Sequence, residues 1–318
     1  AVTTGTHNTI LGANSGNTIN TGGYNTIMGA ETAISLAGGS YNNVIGRRAG
    51  YSLSSGGYNT ALGSTALYSL QTGAGSVGLG HAAGYSFTGG GGIFVGYEAG
   101  HGVASGDVVF VGYQSGKRAR GTGNTAMGYG SLYGADSTAA NNTGTSNTAI
   151  GQNALRWFSK TVGSTAVGAE AGYYTTGSYN TFMGYKAGHG GTTSAPYSSG
   201  TNNVAVGYNA LGGFTTGGDN IAIGYQAGDA ITTAAANIAI GSLAAGALTT
   251  GGDNIVIGYA ALQSADGAED NNIAIGSGAG QNINNDASDD NVFIGTYAGR
   301  GGTGELDRCV AIGYQAMD

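Results

Sequence analysis

The sequence predicts an all-β fold: a β-solenoid or β-roll of about 18 coils, with a repeat of 16–19 residues and two short strands per coil. Two observations predict this fold. Eighteen glycines recur at intervals of 16 to 19 residues, apart from two intervals of 23, and each follows a Leu, Met, Ile or Val. A short regular period is typical of chains in which each unit stacks on the next and is stabilised by its neighbours.

Positions in the repeat are counted from these repeat glycines, so that −1 precedes the glycine and +1 follows it. The consensus around position 0 reads N-[TVI]-[AVF]-[IVLM]-G-Y-x-A-[GL]. The copies leave no gap for a second domain, which predicts a single β-solenoid domain over residues 1–318. The repeat glycines are Gly12, Gly29, Gly46, Gly63, Gly80, Gly96, Gly112, Gly128, Gly151, Gly168, Gly184, Gly207, Gly224, Gly241, Gly258, Gly276, Gly295 and Gly313.

The first predicted strand covers positions −3 to −1. Position −3 is Thr, Val or Ile in every copy except Asn43, and position −1 is always apolar. Alternate residues of a strand share a face, so we expect positions −3 and −1 to face the core together. Position −2, mostly Ala or Phe, then faces outward. Its apolar character predicts a cover, either another copy around a two-fold or three-fold axis or flanking loops of the same chain.

The second predicted strand carries a further apolar column at position +7, for example Ile19, Leu36, Leu53 and Leu70. Turns containing glycine, such as GGYN and GGDN, separate the two strands of each coil. The repeat has few helix-forming residues and is too short for a helical hairpin. These features favour stacked β coils.

Asparagine occupies position −4 in thirteen copies. Stacked sheets align identical side chains one above another, and Asn amides then form hydrogen bonds with the coils on both sides. We therefore predict an Asn ladder along the solenoid. Its members are Asn8, Asn25, Asn42, Asn59, Asn124, Asn147, Asn180, Asn203, Asn220, Asn237, Asn254, Asn272 and Asn291.

Other side chains align through the same stacking. Tyr51, Tyr68 and Tyr85 are each 17 residues apart, which predicts an aromatic ladder. Position +2 places Glu31 one coil from Arg48, and Glu170 one coil from Lys186. We expect both pairs to form ion pairs between coils.

Composition and charge exclude several classes of function. The 66 glycines could indicate a disordered chain, but the 40% hydrophobic content and the regular glycine spacing argue against disorder. Residues 1–159 carry a net charge of +2 and residues 160–318 a net charge of −9, which disfavours nucleic-acid binding. The chain has no long apolar run, so membrane insertion is not expected. The single Cys excludes an internal disulfide.

The sequence offers no catalytic, cofactor-binding or metal-binding constellation. The four histidines lie in turns with no neighbouring Cys or carboxylate at ligand spacing. The acidic stretches 266–272 and 284–291 could supply oxygens to Ca²⁺, but they match no calcium-loop pattern, and solvated loops are the preferred interpretation. We therefore expect a non-enzyme without cofactors or metal ions.

Four residues are candidates for contact with a ligand or partner. Trp157 lies between Arg156 and Lys160, on the face opposite Phe158, and could stack on a sugar or pack in an interface between chains. Tyr197 lies in a longer loop near the only Pro. Ice binding would need outward rows of Thr, whereas the Thr residues at −3 are expected to face inward.

The two ends of the sequence read as two halves of one repeat. The end, AIGYQAMD, followed by the start, AVTTGTHNTILG, restores a 17-residue interval and matches AIGYQAGDAITTAAANIAIG at 222–241. This match predicts an uncapped solenoid whose copies join head to tail. The predicted subunit junction consists of Ala1, Val2, Thr3, Thr4, His7, Cys309, Tyr314, Gln315, Met317 and Asp318.

Three segments, NTAIGQNAL (147–155), NVAVGYNAL (203–211) and NIAIGYQAG (220–228), carry a family resemblance. They resemble the NTAIGYxAL-type β-roll repeats of phage tail fibres and the head repeats of trimeric autotransporter adhesins. The resemblance implies a rod-like trimer used for attachment, on a virion or outside the cell. The repeat here is longer than the typical adhesin repeat, and no coiled-coil stalk, anchor or chaperone domain is visible.

We therefore predict a structural protein, a β-solenoid subunit that assembles head to tail, with further lateral association, into an extracellular filament. The alternative is a trimeric tail-fibre or adhesin shaft that attaches to a host or a surface. In that role the partners would be glycans or a cell-surface receptor.

Overall fold

The fold was determined as a computed structural model, which describes residues 4–104, 106–134, 142–193, 197–283, 288–301 and 306–317. The described residues form an all-β solenoid without helices, with one three-residue strand in each turn of about 17 residues. This confirms the predicted fold class. The chain divides into two compact units, unit 1 (1–160) and unit 2 (161–318). A single domain over 1–318 stays a prediction.

Unit 1 contains nine strands among its described residues. Each is parallel to the next, in register, and separated from it by one repeat, as in the pairing of Thr9 with Thr26. The strands are β1 (Thr9–Leu11), β2 (Thr26–Met28), β3 (Asn43–Ile45), β4 (Thr60–Leu62), β5 (Val77–Leu79), β6 (Ile93–Val95), β7 (Val109–Val111), β8 (Thr125–Met127) and β9 (Thr148–Ile150).

Unit 2 repeats this arrangement with nine described strands, again parallel and in register along the chain. They are β10 (Thr165–Val167), β11 (Thr181–Met183), β12 (Val204–Val206), β13 (Ile221–Ile223), β14 (Ile238–Ile240), β15 (Ile255–Ile257), β16 (Ile273–Ile275), β17 (Val292–Ile294) and β18 (Val310–Ile312).

The second strand predicted for each coil is not formed. The +7 side chains are buried as expected, among them Ile19, Leu36 and Leu53. Their backbone, however, makes only two isolated bridge pairs in the described residues, Gly134 with Phe158 and Thr175 with Ser198. The reason is the left-handed conformation at position +4, which bends the chain before +7 and prevents an extended run.

The repeat glycines have φ values between 125° and 142° and stack closely on one another. A Cβ added to Gly29 would lie 2.7 Å from the carbonyl oxygen of Gly46, one turn later. Both the conformation and the lack of space therefore require glycine at position 0. This explains why the period is marked by one invariant residue type.

The core lies behind the strand and contains position −2, not positions −3 and −1 as predicted. Position −2 is buried in each strand from β2 to β18, whereas the residues on either side of it are half-buried or exposed. The turns of the same chain cover the −2 side chains, so they need no second copy as a cover.

The space available inside each turn explains this reversal. Phe94 at −2 faces Gly100 at +4, and a Cβ on Gly116 would lie within 2.5 Å of the Phe110 ring. Phe182 and Phe293 have Gly at the same +4 position, whereas an Ala at −2 often has Leu at +4. Large and small residues compensate across a narrow interior, as close packing requires.

Candidate functional site

The outward strand face exposes two columns of mostly apolar side chains. Position −1 is 37% exposed at Ile45 and 48% exposed at Met127, and position −3 on the same face carries Thr or a β-branched apolar residue in every strand except β3, which has Asn43. Thr9, Thr60 and Thr125 therefore face outward, opposite to the expectation. Valine and isoleucine interrupt the Thr column at β5 to β7 and at β12 to β18, so the column is not continuous.

Tyrosine rings form stacked columns beside this face. The predicted ladder of Tyr51, Tyr68 and Tyr85 is confirmed, with ring centroids 4.9 and 4.8 Å apart. Two further columns in unit 1 were not predicted, although their spacing of 16 or 17 residues is visible in the sequence. They are Tyr24–Tyr41–Tyr58 at position −5 and Tyr97–Tyr113–Tyr129 at position +1.

The stacking determines what these columns can bind. Adjacent rings in the Tyr24–Tyr41–Tyr58 column are nearly parallel, with interplanar angles of 0° and 6°, and they lie 4.9 and 5.0 Å apart. Each inner ring therefore has both faces covered by its neighbours, and only ring edges and hydroxyl groups remain outside. Among the described residues, a sugar that stacks on an aromatic face would find one only at Tyr58, which ends the column and is 68% exposed.

The Asn side chains at position −4 are buried and hydrogen-bonded from turn to turn. The Oδ1 of Asn25 accepts hydrogen bonds from the backbone N–H of Asn42, at 2.9 Å, and from its Nδ2, at 3.1 Å. The Nδ2 of Asn42 also donates to the carbonyl oxygen of Gly56. In unit 2, Asn203, Asn220 and Asn237 repeat this geometry. The amides thus lie inside the structure and are not offered to a ligand.

The predicted ion pairs between coils are confirmed. Arg48 Nε bonds Glu31 Oε2, and Lys186 Nζ lies 3.7 Å from Glu170 Oε2. The hydrogen bond from Arg48 lowers the pKa of Glu31. Both pairs are partly solvated, so they contribute little stability.

A basic cluster surrounds Tyr133 in unit 1. The Arg156 guanidinium lies 4.8 Å from the ring centroid of Tyr133, and the Arg118 guanidinium lies 5.6 Å from it. Lys117 Nζ is 6.0 Å from the same centroid and also forms an ion pair of 2.6 Å with Glu98. Cation–π contacts of this kind hold long basic side chains in place near the surface. Lys117, Arg118, Tyr133 and Arg156 are called the basic cluster below.

The structure brings some of the candidate contact residues together. Trp157 packs edge-on against Tyr133, with centroids 6.5 Å apart, and Arg156 lies 5.5 Å from its ring. Trp157 is half-buried, and Lys160 is exposed nearby in sequence. Tyr197 belongs to unit 2, where its ring stacks on Tyr174 at 5.9 Å. Trp157 therefore adjoins the basic cluster, of which Arg156 is a member, Lys160 is close to it in sequence only, and Tyr197 has an aromatic contact of its own.

The predicted junction residues lie at the two ends of the described chain. Thr4 donates to the carbonyl oxygen of Asn20, and His7 stacks on Tyr24 at 4.6 Å. Cys309 takes the place of a ladder Asn, and its N–H donates to Asn291 Oδ1 at 2.8 Å. Tyr314, Gln315 and Met317 are exposed. Ala1, Val2, Thr3 and Asp318 lie outside the described residues.

Within the described ranges, no three His, Cys, Asp or Glu side chains converge on a point where a metal ion could bind. Stretch 266–272 is described, whereas residues 284–287 of the second acidic stretch lie outside the described residues. Likewise, no helix in the described part of the chain has the length and hydrophobicity to cross a membrane.

The chain was compared with protein-family models, with curated proteins and with solved structures, and none of the three comparisons found a match.

Proposed function

We propose that the protein is a structural, non-enzymatic β-solenoid subunit that assembles head to tail into an extracellular filament. The observation that supports this most strongly is the relation between the two stacking faces of a turn. Within each unit, every strand pairs in parallel and in register with the next, so the upper face of one turn fits the lower face of another. A surface that fits a different surface of the same protein produces open, head-to-tail assemblies.

The turn around β18 has the features of such a stacking face. Among the described residues, β18 pairs with β17, and Ile312 and Tyr314 are 65% and 73% exposed. A Cβ added to Gly313 meets no atom within 4 Å, whereas a Cβ on Gly276 or Gly295 would lie 2.5 Å from the carbonyl oxygen of the next repeat glycine. In the assembly that we propose, a turn of another copy stacks on this turn, and unpaired strand edges favour such pairing.

The test measures end-to-end growth of the 318-residue chain by electron microscopy and by sedimentation at rising protein concentration. We expect filaments that lengthen with concentration. A Gly313→Ala variant is strained at φ of 125° but meets no steric overlap, so it should fold with reduced stability; it should not elongate, because the Cβ would meet the next copy. Gly75→Ala is the matched control, since Gly75 also has φ above zero and free space. Particles of constant length at all concentrations would contradict the proposal.

A trimeric tail-fibre or adhesin shaft is the second candidate, and the outward strand face favours it. Exposed apolar columns beside stacked tyrosines would be covered if three chains packed laterally. Sedimentation would then give a discrete trimer whose mass does not change with concentration. Loss of binding to a defined glycan or receptor in Trp157→Ala would support an attachment role on a virion or outside the cell.

A further inference from the structure

The basic cluster belongs to the positively charged part of the molecule. Residues 1–160 contain seven Lys or Arg and four Asp or Glu, whereas residues 161–318 contain three and thirteen. Lys117 is neutralised by Glu98. Among the described residues, no carboxylate lies within 4 Å of Arg118 or Arg156, and Arg156 Nη1 donates to Asn153 Oδ1 at 2.8 Å.

The cluster presents its cations on alternate turns. Arg118 follows β7 and Arg156 follows β9, and Tyr133 of the turn between them contacts both guanidinium groups. Because adjacent parallel strands are about 4.8 Å apart, the turns that carry Arg118 and Arg156 are about 10 Å apart along unit 1. The contacts with Tyr133 restrict both side chains before any partner binds, which reduces the entropy lost on binding.

Unit 2 carries carboxylates at the same spacing. Asp219, Asp253 and Asp290 occupy position −5 before β13, β15 and β17, and all three are exposed. Uncharged Ala236 and Asn271 occupy the turns between them. The three aspartates, called the acidic corner below, therefore also repeat on alternate turns, about every 10 Å.

From this match we infer that the basic cluster of one copy docks on the acidic corner of a second copy. Asp219 and Asp253 meet the two guanidinium groups at the same time, because each pair comes from turns two apart, whereas Asp290 already lies 3.8 Å from Arg308. The two surfaces differ, so each copy offers one of each and the contact is heterologous. This side-by-side contact goes beyond the proposed function, since it does not require end-to-end stacking.

The interaction is expected to be weak for each pair and sensitive to salt. Solvent-exposed ion pairs contribute about 0–1 kcal/mol each, and association therefore depends on several pairs forming together. Ionic strength near 0.1 M screens charges over about 10 Å. Lateral association should consequently be strong at low salt and lost in about 0.5 M NaCl.

The test is a charge swap in the Gly313→Ala background, which removes end-to-end growth and leaves lateral association to be measured by sedimentation. Arg118→Glu with Arg156→Glu reverses the basic cluster, and Asp219→Arg with Asp253→Arg reverses the acidic corner. Arg is compatible with the −5 conformation, because Arg308 occupies that position with φ of 53°. Arg47→Glu with Arg300→Glu changes the net charge equally outside the cluster and serves as the control for the first pair.

Each double variant should fail to associate alone at low salt, the equimolar mixture of the two should associate again, and the control should behave as the parent. The inference is wrong if the reversed variants associate like the parent, or if the mixture does not recover. Binding of polygalacturonate that is lost in the Arg118→Glu, Arg156→Glu variant, without self-association of the parent, would assign the cluster to an acidic polysaccharide instead. End-to-end growth is tested separately on the unsubstituted chain. If that chain does not elongate, the proposed function is wrong whatever the outcome of the charge swap.

Discussion

Units 1 and 2 use position −5 differently while keeping the same backbone. In unit 1 the position holds the stacked rings of Tyr24, Tyr41 and Tyr58, with φ of 59°, 60° and 60°. In unit 2 it holds the acidic corner, where Asp219 and Asp253 have φ of 59° and 57°. The left-handed turn is therefore not produced by the residue type at −5. It is imposed by the buried columns on either side, and the exposed corner is free to carry aromatic rings or charges.

The two units share their buried columns. Both contain the Asn ladder at −4, small residues at +3 and the repeat glycine. If these columns alone determine the backbone, the same substitution should have the same effect in either unit. The predictions below test this equivalence, beginning with the largest expected effect.

Gly80→Ala in unit 1 and Gly224→Ala in unit 2 should both strongly destabilise the folded protein. Each added Cβ would lie 2.6 Å from the carbonyl oxygen of the next repeat glycine, at φ of 130° or 138°. Strain and overlap together should reduce the free energy of unfolding by on the order of 3 kcal/mol. The change is measured as the shift in the denaturant midpoint. Gly75→Ala should lose about 1 kcal/mol, since it has free space and φ of 69°.

A large difference between Gly80→Ala and Gly224→Ala would show that the two units do not share one backbone constraint. Equal losses for Gly80→Ala and Gly75→Ala would show that the close contact between turns is not responsible.

Removing one ladder amide should have the next largest effect. Asn42→Ala in unit 1 and Asn220→Ala in unit 2 each leave buried backbone groups without a partner, including the N–H of the next ladder residue. The expected loss is about 2–3 kcal/mol in both units, from denaturant unfolding. Asn→Ser at the same positions should lose less, because Ser164 Oγ accepts the N–H of Asn180 at 3.1 Å. Asn→Ser losses as large as those of Asn→Ala would contradict the role of this acceptor.

The sequence was sufficient to predict the β-solenoid, its repeat and the columns of stacked residues, because in-register stacking follows from period alone. It was not sufficient to assign the faces of the strand. Positions −3, −2 and −1 are all mostly apolar, so alternation could not distinguish inside from outside. The informative signal was the pairing of Phe94 with Gly100 and of Phe110 with Gly116, which indicates a shared, crowded interior.

The basic cluster could not be predicted as a unit for a different reason. Arg118 and Arg156 belong to different repeats separated by an insertion, and only the +5 and +6 columns bring them to the same ring. Trp157 was expected to be exposed, but the edge-on contact with Tyr133 leaves it half-buried. Side-chain direction at a bend depends on backbone conformation, which the residue pattern at this site does not specify.

The smallest expected effect is on the pH dependence of stability. It involves two histidines at position +5, one in each unit. His101 stacks on Tyr85 at 5.2 Å, and His189 stacks on Tyr173 at 5.4 Å. Burial lowers the pKa of both imidazoles, although Glu98 beside His101 and Glu170 beside His189 oppose the shift. Nearby cations add to the lowering, namely Lys117 and Arg118 in unit 1 and Lys186 in unit 2.

The direction of the pH dependence follows from the lowered pKa values. An unfolded histidine binds its proton near pH 6.5, whereas the folded protein resists protonation until a lower pH. The stability contributed by the two neutral histidines is therefore fully present above about pH 6.5, and it is lost as the pH decreases toward the folded pKa values. His101→Tyr and His189→Tyr should each reduce the loss of stability between about pH 8 and pH 5, measured by the denaturant midpoint, because Tyr keeps the ring stack without titrating there.

The double variant His101→Tyr, His189→Tyr measures the combined contribution of the two histidines to the pH dependence of stability. Burial raises the pKa of Asp229, which acts in the opposite direction, but this residue is unchanged in all variants and cancels in the comparison. If the two units respond independently, the effects of the single substitutions should add. An unchanged pH profile in both single variants would mean that the buried rings do not control the acid response of either unit.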